Sequence, residues 1–333
     1  MRAAGRTVYL FTAQGFGVSG TSHVYLIDAS IYIFQAYFSP YNESLDESGE
    51  DLSAFIGFAQ FLLSLQRRER PQSGAVAMDN SLFTGFRHAL SPEYKSNREL
   101  PDDSLARQLD FCARAADAFG WPVYASTRYE ADDIIGTLAL RSRSFDEAES
   151  AQGICIVSRD KDLAQLIRAD SDVMWDFSAN RRRSRIDIER ELGISTTRIP
   201  DYLGLVGDSV DCIAGVPGVG PVKATALLAE FGSLDGIYAN LHAVAGLPMR
   251  GAKSLAEKLE RFEAQARHCK LLATIVEEPR DCAEPFACAA PAELVLARPN
   301  CDKFALLLEE ALVPAALKVR MSEALARLVE EAP

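Results

Sequence analysis

The clearest signal along the chain is a set of short apolar runs that each stop at an aspartate. Val24 to Ile27 runs into Asp28, and Ala75 to Met78 runs into Asp79. Ile154 to Val157 leads into Ser158-Arg159-Asp160-Lys161-Asp162. Four consecutive apolar residues bounded by polar punctuation predict strands buried on both faces. Between them lie stretches with helical spacing. Leu52 to Gln66 sets Phe55, Phe58, Ala59 and Leu62 on one face, and Ser104 to Phe119 forms another helix. This alternation predicts an α/β fold with a central, mainly parallel sheet flanked by helices. Ligands of such sheets sit at the carboxyl ends of the strands, where all three runs place acids.

The rest of the chain is punctuated differently. Residues 80–103 are a long polar insertion directly after the second strand, and insertions at that position are usually functional. Residues 199–275 read as helical, opened by Gly215-Val-Pro-Gly218-Val-Gly220-Pro221-Val-Lys223. The final stretch is Ala/Leu/Glu-rich helix broken near Pro314, because proline disrupts a helix interior. Residues 1–22 carry two Arg and no acid, and their apolar stretch is interrupted by Thr12, Gln14 and Gly15. An unstructured leader or a misassigned start codon explains them better than a targeting peptide.

Composition narrows the class. The 333 residues are 48% hydrophobic and 25% charged, which excludes disordered, collagenous and coiled-coil chains and suits about two domains. No apolar run approaches the ~20 residues of a membrane helix. Seven cysteines without a CxxC pair argue against a disulfide framework or a structural zinc, so a cytoplasmic location is expected. The net charge of −12 would count against a nucleic-acid partner if it were evenly spread. It is not.

Nine acids fall in five segments: Asp28, Asp79, the Glu130/Asp132/Asp133 group, the Asp160/Asp162 pair and the Asp208/Asp211 pair. Any one group could cap a helix, as Glu130 to Asp133 would before Ile134–Arg141 and Asp162 before Leu163–Ile167. Jointly they are too many for capping. Two carboxylates ~5 Å apart repel by about 3 kcal/mol at an effective dielectric near 20, so nine in one cleft require cations. An all-oxygen set suits Mg²⁺ or Mn²⁺ rather than zinc. Acids enough for two ions point to a two-metal phosphoryl-transfer site.

Basic and glycine-rich segments flank these acids. Gly215, Gly218 and Gly220, followed by Pro221 at a first helical position and by Lys223, form a helix–hairpin–helix pattern that binds duplex phosphates without reading bases. A second basic turn, Gly246 to Lys253, follows. In the insertion, Arg87, Lys95 and Arg98 are cations beside the acids, with Phe86 and Tyr94 placed to stack on bases. Arg181 to Arg185 is a denser basic run that reads equally as a solvated hairpin tip.

These residues resemble the 5′ nuclease (flap endonuclease) superfamily, in particular the 5′→3′ exonuclease domain of bacterial DNA polymerase I and its free-standing relatives. The matching motifs are Leu26-Ile-Asp28, Phe86-Arg87-His88 with Tyr94-Lys95, Tyr129-Glu130-Ala-Asp132-Asp133, Asp160-Lys-Asp162-Leu, Gly207-Asp208-Ser-Val-Asp211 and Gly215 to Gly220. They occur in family order over about residues 24–275. The resemblance implies a PIN-like sheet with a helical arch at about 80–105. It implies a nuclease domain over 23–198, a helix–hairpin–helix DNA-binding region over 199–278 and a helical extension over 279–333.

It also implies two Mg²⁺ ions, for which Mn²⁺ substitutes. Asp28, Asp79, Glu130, Asp132 and Asp133 match the tighter metal site, and Asp160, Asp162, Asp208 and Asp211 the second. Arg87 and Lys95 match the arch residues that act on the scissile phosphate. A potassium ion is implied at the glycine-rich hairpin. The expected substrates are DNA with 5′ ends or flaps and RNA–DNA primers, handled by a monomer with no membrane partner. Two departures flank Asp211: Cys212 stands where relatives usually carry Asn, and Ala214 where they carry Pro. The rival readings are a non-catalytic junction-binding relative and a PIN-type ribonuclease, which typically lacks both the arch and the hairpin region.

Overall fold

The computed structural model describes residues 23–39, 44–144, 152–280 and 283–331, so the predicted leader lies outside the described residues. Six strands form one sheet in the order β3-β2-β1-β4-β5-β6. They are β1 (His23–Asp28), β2 (Ser73–Asp79), β3 (Val123–Ser126), β4 (Gly153–Val157), β5 (Val173–Asp176) and β6 (Arg181–Ser184). The first five pair in parallel, and β6 closes one edge antiparallel to β5. The predicted apolar runs are the three central strands. Being covered on both faces, they need no polar alternation.

Successive residues of β1 point to opposite sides, so two cores form. Val24 and Leu26 join one; Tyr25 and Ile27 join the other. The second is filled by α1 (Ala29–Tyr37), α2 (Ser53–Glu69) and, beyond the five-residue α3 (Phe86–Leu90), by α4 (Asp103–Ala118). The predicted helices at 52–66 and 104–119 are therefore present, shifted by only a few residues. The first core is covered by α5 (Ala131–Ser144) and α6 (Arg185–Leu192). Behind them stand α7 (Ile199–Val206), α8 (Pro221–Phe231), α9 (Leu234–Ala239), α10 (Leu241–Val244), α11 (Ala252–Arg261) and α12 (Glu263–Ala273).

The chain then returns to the other face. Leu296, Ala297 and Asn300 bond through their backbones to Gln72, Gly120 and Ala118. Helices α13 (Cys301–Glu310) and α14 (Ala315–Glu330) bury Phe304, Leu307, Leu308, Met321 and Leu325 against the α2–α4 layer. Pro314 separates them, as its position predicts.

Three expectations change. The segment 161–166 is a short 3₁₀ turn rather than a helix at 163–167, because Asp160 accepts from the Asp162 N–H and tightens it. Arg181 to Ser184 is the edge strand itself, not the tip of a hairpin. Its guanidiniums are neutralised locally: Arg181 and Arg183 pair with Glu191, and Arg182 with Glu69. The insertion forms no long arch. After α3 it continues in turns to about Asn97 and is folded down over the strand ends.

Candidate active site

The strand order reverses beside β1: β2 and β3 lie on one side, β4 and β5 on the other. Such a switch point opens a crevice at the carboxyl ends of the strands. Register aligns Ile27 with Val157, so Asp28 emerges level with Ser158. Asp79 ends β2 next door, where its carboxylate accepts from Ser81 N–H and Oγ at 3.0 and 2.8 Å. The first turn of α5 adds Glu130 and Asp132, and the turns after β4 and α7 add Asp160, Asp162, Asp208 and Asp211.

The electrostatics record crowding. Burial, then the charge of Asp160, pushes Asp28 up to about 7. Burial and the same neighbour raise Asp162 to about 6. Asp132 is raised strongly by burial, Asp160 and Asp28, Asp79 by burial and Glu130, and Asp211 mainly by burial. Two carboxylates go the other way although burial opposes it. Glu130 is held low by Lys95 and Arg87, and Asp208 by Lys161 and backbone donors.

Lys95 Nζ donates to Glu130 Oε2 at 3.0 Å and stands 4.0 Å from Asp211. Arg98 lies 3.7 Å from Asp211, with about half its side chain exposed. Lys161 pairs with Asp208 and, at 3.3 Å, with Asp162. Eight carboxylates thus face three cations.

Four expected roles are corrected. Asp133 is fully buried, and both its oxygens are occupied: Arg87 grips them at 2.6 and 2.8 Å, Val276 N–H donates at 2.8 Å and Glu130 N–H at 3.1 Å. It has nothing left for a metal. Arg87 is equally committed, since its remaining N–H groups donate to the Leu272 and Thr274 carbonyls at 2.8 Å. It therefore locks the insertion and α5 to the end of α12 instead of facing substrate. Tyr94 is 3% exposed, its hydroxyl on Glu130 at 3.0 Å and its ring edge-on to His88. Phe86 packs between Tyr129 and the Arg87 guanidinium. Neither aromatic ring is free to stack on a base.

The glycine-rich turn leads into α8 with Pro221 at its start, as the sequence predicts. Gly215 has φ +64°, and a Cβ there would collide with the backbone of Val206 and Gly207, so the two loops close on each other. Lys223 Nζ donates to the Gly218 carbonyl at 3.0 Å. Lys258 Nζ stands 2.8 Å from where a Gly218 Cβ would be. Two ammonium groups already serve this turn, which does not fit the expected potassium ion. Cys212 adopts φ +58°, a left-handed conformation that Asn tolerates well, which gives the Asn habit of relatives a backbone reason.

Sequence reasoning passed over Ser158 and Lys258. Ser158 had a local signal, a hydroxyl between a buried strand and Asp160. Lys258 had none, since only tertiary packing brings α11 to the hairpin.

The donor set fits hard divalent cations. It is entirely oxygen, it repels itself, and its raised carboxylates show charge that the protein leaves uncompensated. Among the described residues no three His, Cys, Asp or Glu side chains converge as a closed ion cage. Mg²⁺ asks for none, because it keeps several waters.

A resolvase-like sheet with acids at its switch point, backed by a small helical domain, is the framework of a nuclease. Residues 23–193 match the family described as 5′-3′ exonuclease, N-terminal resolvase-like domain, and residues 194–288 match its C-terminal SAM fold. The chain belongs to the 5′-3′ exonuclease family. It is 36% identical over 256 residues to DNA polymerase I of Pseudomonas aeruginosa, covering 75% of this chain and 27% of that protein. The chain thus spans about a quarter of that relative's length. A 5′-3′ exonuclease of Buchnera aphidicola is 30% identical over 73% of this chain and 82% of its own length.

Among solved structures, T5 5′-exonuclease with bound zinc superposes with a TM-score of 0.60 at 16% identity, over 92% of this chain and 99% of that one. The catalytic core of Rad2 in complex with DNA substrate gives 0.59 at 17% identity, over 92% of each chain. Both share the fold. No helix among the described residues is long and apolar enough to cross a membrane.

Proposed function

We propose that this nuclease is a divalent-metal-dependent 5′→3′ exonuclease and 5′-flap endonuclease. It hydrolyses phosphodiesters at single-strand/duplex junctions to leave 5′-phosphate and 3′-hydroxyl ends, in DNA replication and repair, with RNA–DNA primers among its substrates. The observation that carries this reading is the switch-point cleft, where eight carboxylates gather against three cations.

Asp28, Asp79, Glu130 and Asp132 would hold one ion, and Asp160, Asp162, Asp208 and Asp211 the other. When bound, such ions supply an activated water and charge stabilisation at the attacked phosphate. The chain's own residues do the rest. Lys95, fixed between Glu130 and Asp211, holds the scissile phosphate at the cleft and offsets its developing charge. Arg98, half exposed at the rim, meets the incoming strand. The Gly215–Gly220 turn, the free N–H groups opening α8, and Lys223 and Lys258 receive the duplex backbone. Contacts of this kind read junction shape and phosphates, so sequence preference should be weak and salt dependence strong.

The test is a 5′-flap duplex labelled at both ends, incubated with Mg²⁺ or with EDTA, comparing the parent with Asp160→Ala. Release of the flap near the junction with Mg²⁺ alone, largely lost in the variant, supports the reading. Binding without cleavage in Mg²⁺ and in Mn²⁺ would replace it with a non-catalytic junction-binding protein.

A further inference from the structure

Ser158 stands at the switch point itself, one residue past β4 and level with Asp28. It is fully buried, and its backbone N–H continues the sheet by bonding to Trp175 O at 3.1 Å. Its hydroxyl makes two bonds of opposite sense. Oγ donates its one proton to Asp28 Oδ2 at 2.9 Å and accepts the Asp160 N–H at 3.0 Å. Asp160 Oδ1 in turn accepts the Asp162 N–H at 3.0 Å. One oxygen atom therefore joins the first group of carboxylates to the turn that carries the second.

We propose that Ser158 is a positioning residue whose hydroxyl sets the separation of the two carboxylate groups, and with it the spacing of the two divalent ions. The assignment rests on the metal-dependent reading of the cleft. Asp28 and Asp160 repel each other, so without a link the Asp160 turn would relax away from β1. The hydroxyl opposes this because its donor and acceptor are both committed, and burial excludes water as a substitute. A carboxylate bonded at one oxygen also has its orientation fixed, leaving the other oxygen to face the cleft. Groups that orient ligands in this way typically change metal affinity by about 10–100-fold when removed.

Direct Mn²⁺ binding, followed by the loss of the free-ion electron paramagnetic resonance signal, tests this on the full chain. The comparison is the parent, Ser158→Ala and Ser158→Thr. Flap cleavage kinetics and the metal-free thermal midpoint are measured alongside. Ser158→Ala should bind Mn²⁺ at least about tenfold more weakly. Its kcat should fall while KM for the flap substrate stays near the parent's, since the DNA contacts lie elsewhere. Ser158→Thr keeps the hydroxyl and should restore both. Alanine fits the same space, so that comparison decides even where the extra methyl of threonine is not accommodated.

A folded Ser158→Ala that binds Mn²⁺ like the parent would overturn the assignment, as would a folded Ser158→Thr no better than the alanine variant. A parent that takes up no Mn²⁺ would instead overturn the metal-dependent reading, and this assignment with it.

Discussion

Arg87 separates two accounts of this protein. The resemblance places it over the scissile phosphate, whereas the structure buries it at 2% exposure with four short hydrogen bonds. Consider Arg87→Ala. Asp133, at 0% exposure, would keep only the N–H groups of Val276 and Glu130, and the carbonyls of Leu272 and Thr274 would lose their donor. Removing one partner of a buried pair costs about 3–5 kcal/mol. The orphaned carbonyls bring the total to about 4–6 kcal/mol. Against a typical stability of about 5–15 kcal/mol this is a large fraction. The thermal midpoint should fall on the order of 10–20 °C.

Arg87→Lys keeps the charge but cannot span two carboxylate oxygens and two carbonyls, so it should recover only part of the loss. Arg87→Met combined with Asp133→Leu should be more stable than Arg87→Ala, because apolar replacement removes the uncompensated charge. Thermal unfolding of the four variants, with flap cleavage measured well below each midpoint, reads both properties. An Arg87→Ala protein with the parent's midpoint and a loss confined to kcat would refute the structural role and return Arg87 to the phosphate.

Other outcomes follow from the same geometry. Replacing K⁺ by Na⁺ at fixed ionic strength should leave flap-DNA affinity in EDTA unchanged, as anisotropy would show; a marked dependence on K⁺ would mean that the ion displaces Lys223 from Gly218. Lys223→Ala and Lys258→Ala should each weaken that binding for all sequences alike and reduce the slope of log affinity against log salt by about 1. Gly215→Ala, which forces a Cβ into the Gly207 backbone at φ +64°, should lower the thermal midpoint sharply, and an unchanged midpoint would show that the loop can open. Deleting residues 289–333 should leave a chain that loses cooperative unfolding in circular dichroism, because burial of Phe304, Leu307, Leu308, Met321 and Leu325 at about 1.5–3 kcal/mol each exceeds ordinary stability margins.

The last of these concerns a segment outside both family matches, which end at residue 288. Its helices were legible from composition and Pro314, but their destination was not. Amphipathic spacing says that a helix hides one face without saying against what. The central sheet was more transparent, since apolar runs of four residues have few uses other than a doubly covered strand. The acids could be gathered from sequence for a similar reason: parallel topology sends every strand's carboxyl end to the same edge, so Asp28, Asp79 and Asp160 had to meet.

The cations carried no such constraint. A lysine or arginine in a polar insertion has the same sequence signal whether it faces solvent, a phosphate or a buried carboxylate. Arg87 and Lys95 are eight positions apart in one insertion, and the fold gives them different tasks. The distinction lies with their acid partners. Asp133 accepts from backbone N–H groups as well as Arg87, so this pair is closed and structural. Glu130 is shared by Lys95 and Tyr94, and Asp211 stands 4.0 Å from the same ammonium, so Lys95 sits among carboxylates whose charge is not balanced. A cation in that position is exchangeable: a divalent ion can take over Glu130 and Asp211, which frees Lys95 to meet an anionic substrate. The same neighbourhood of acids therefore locks one basic residue and releases the other. The difference is the count of donors already present at each carboxylate, and residue identity alone does not reveal it.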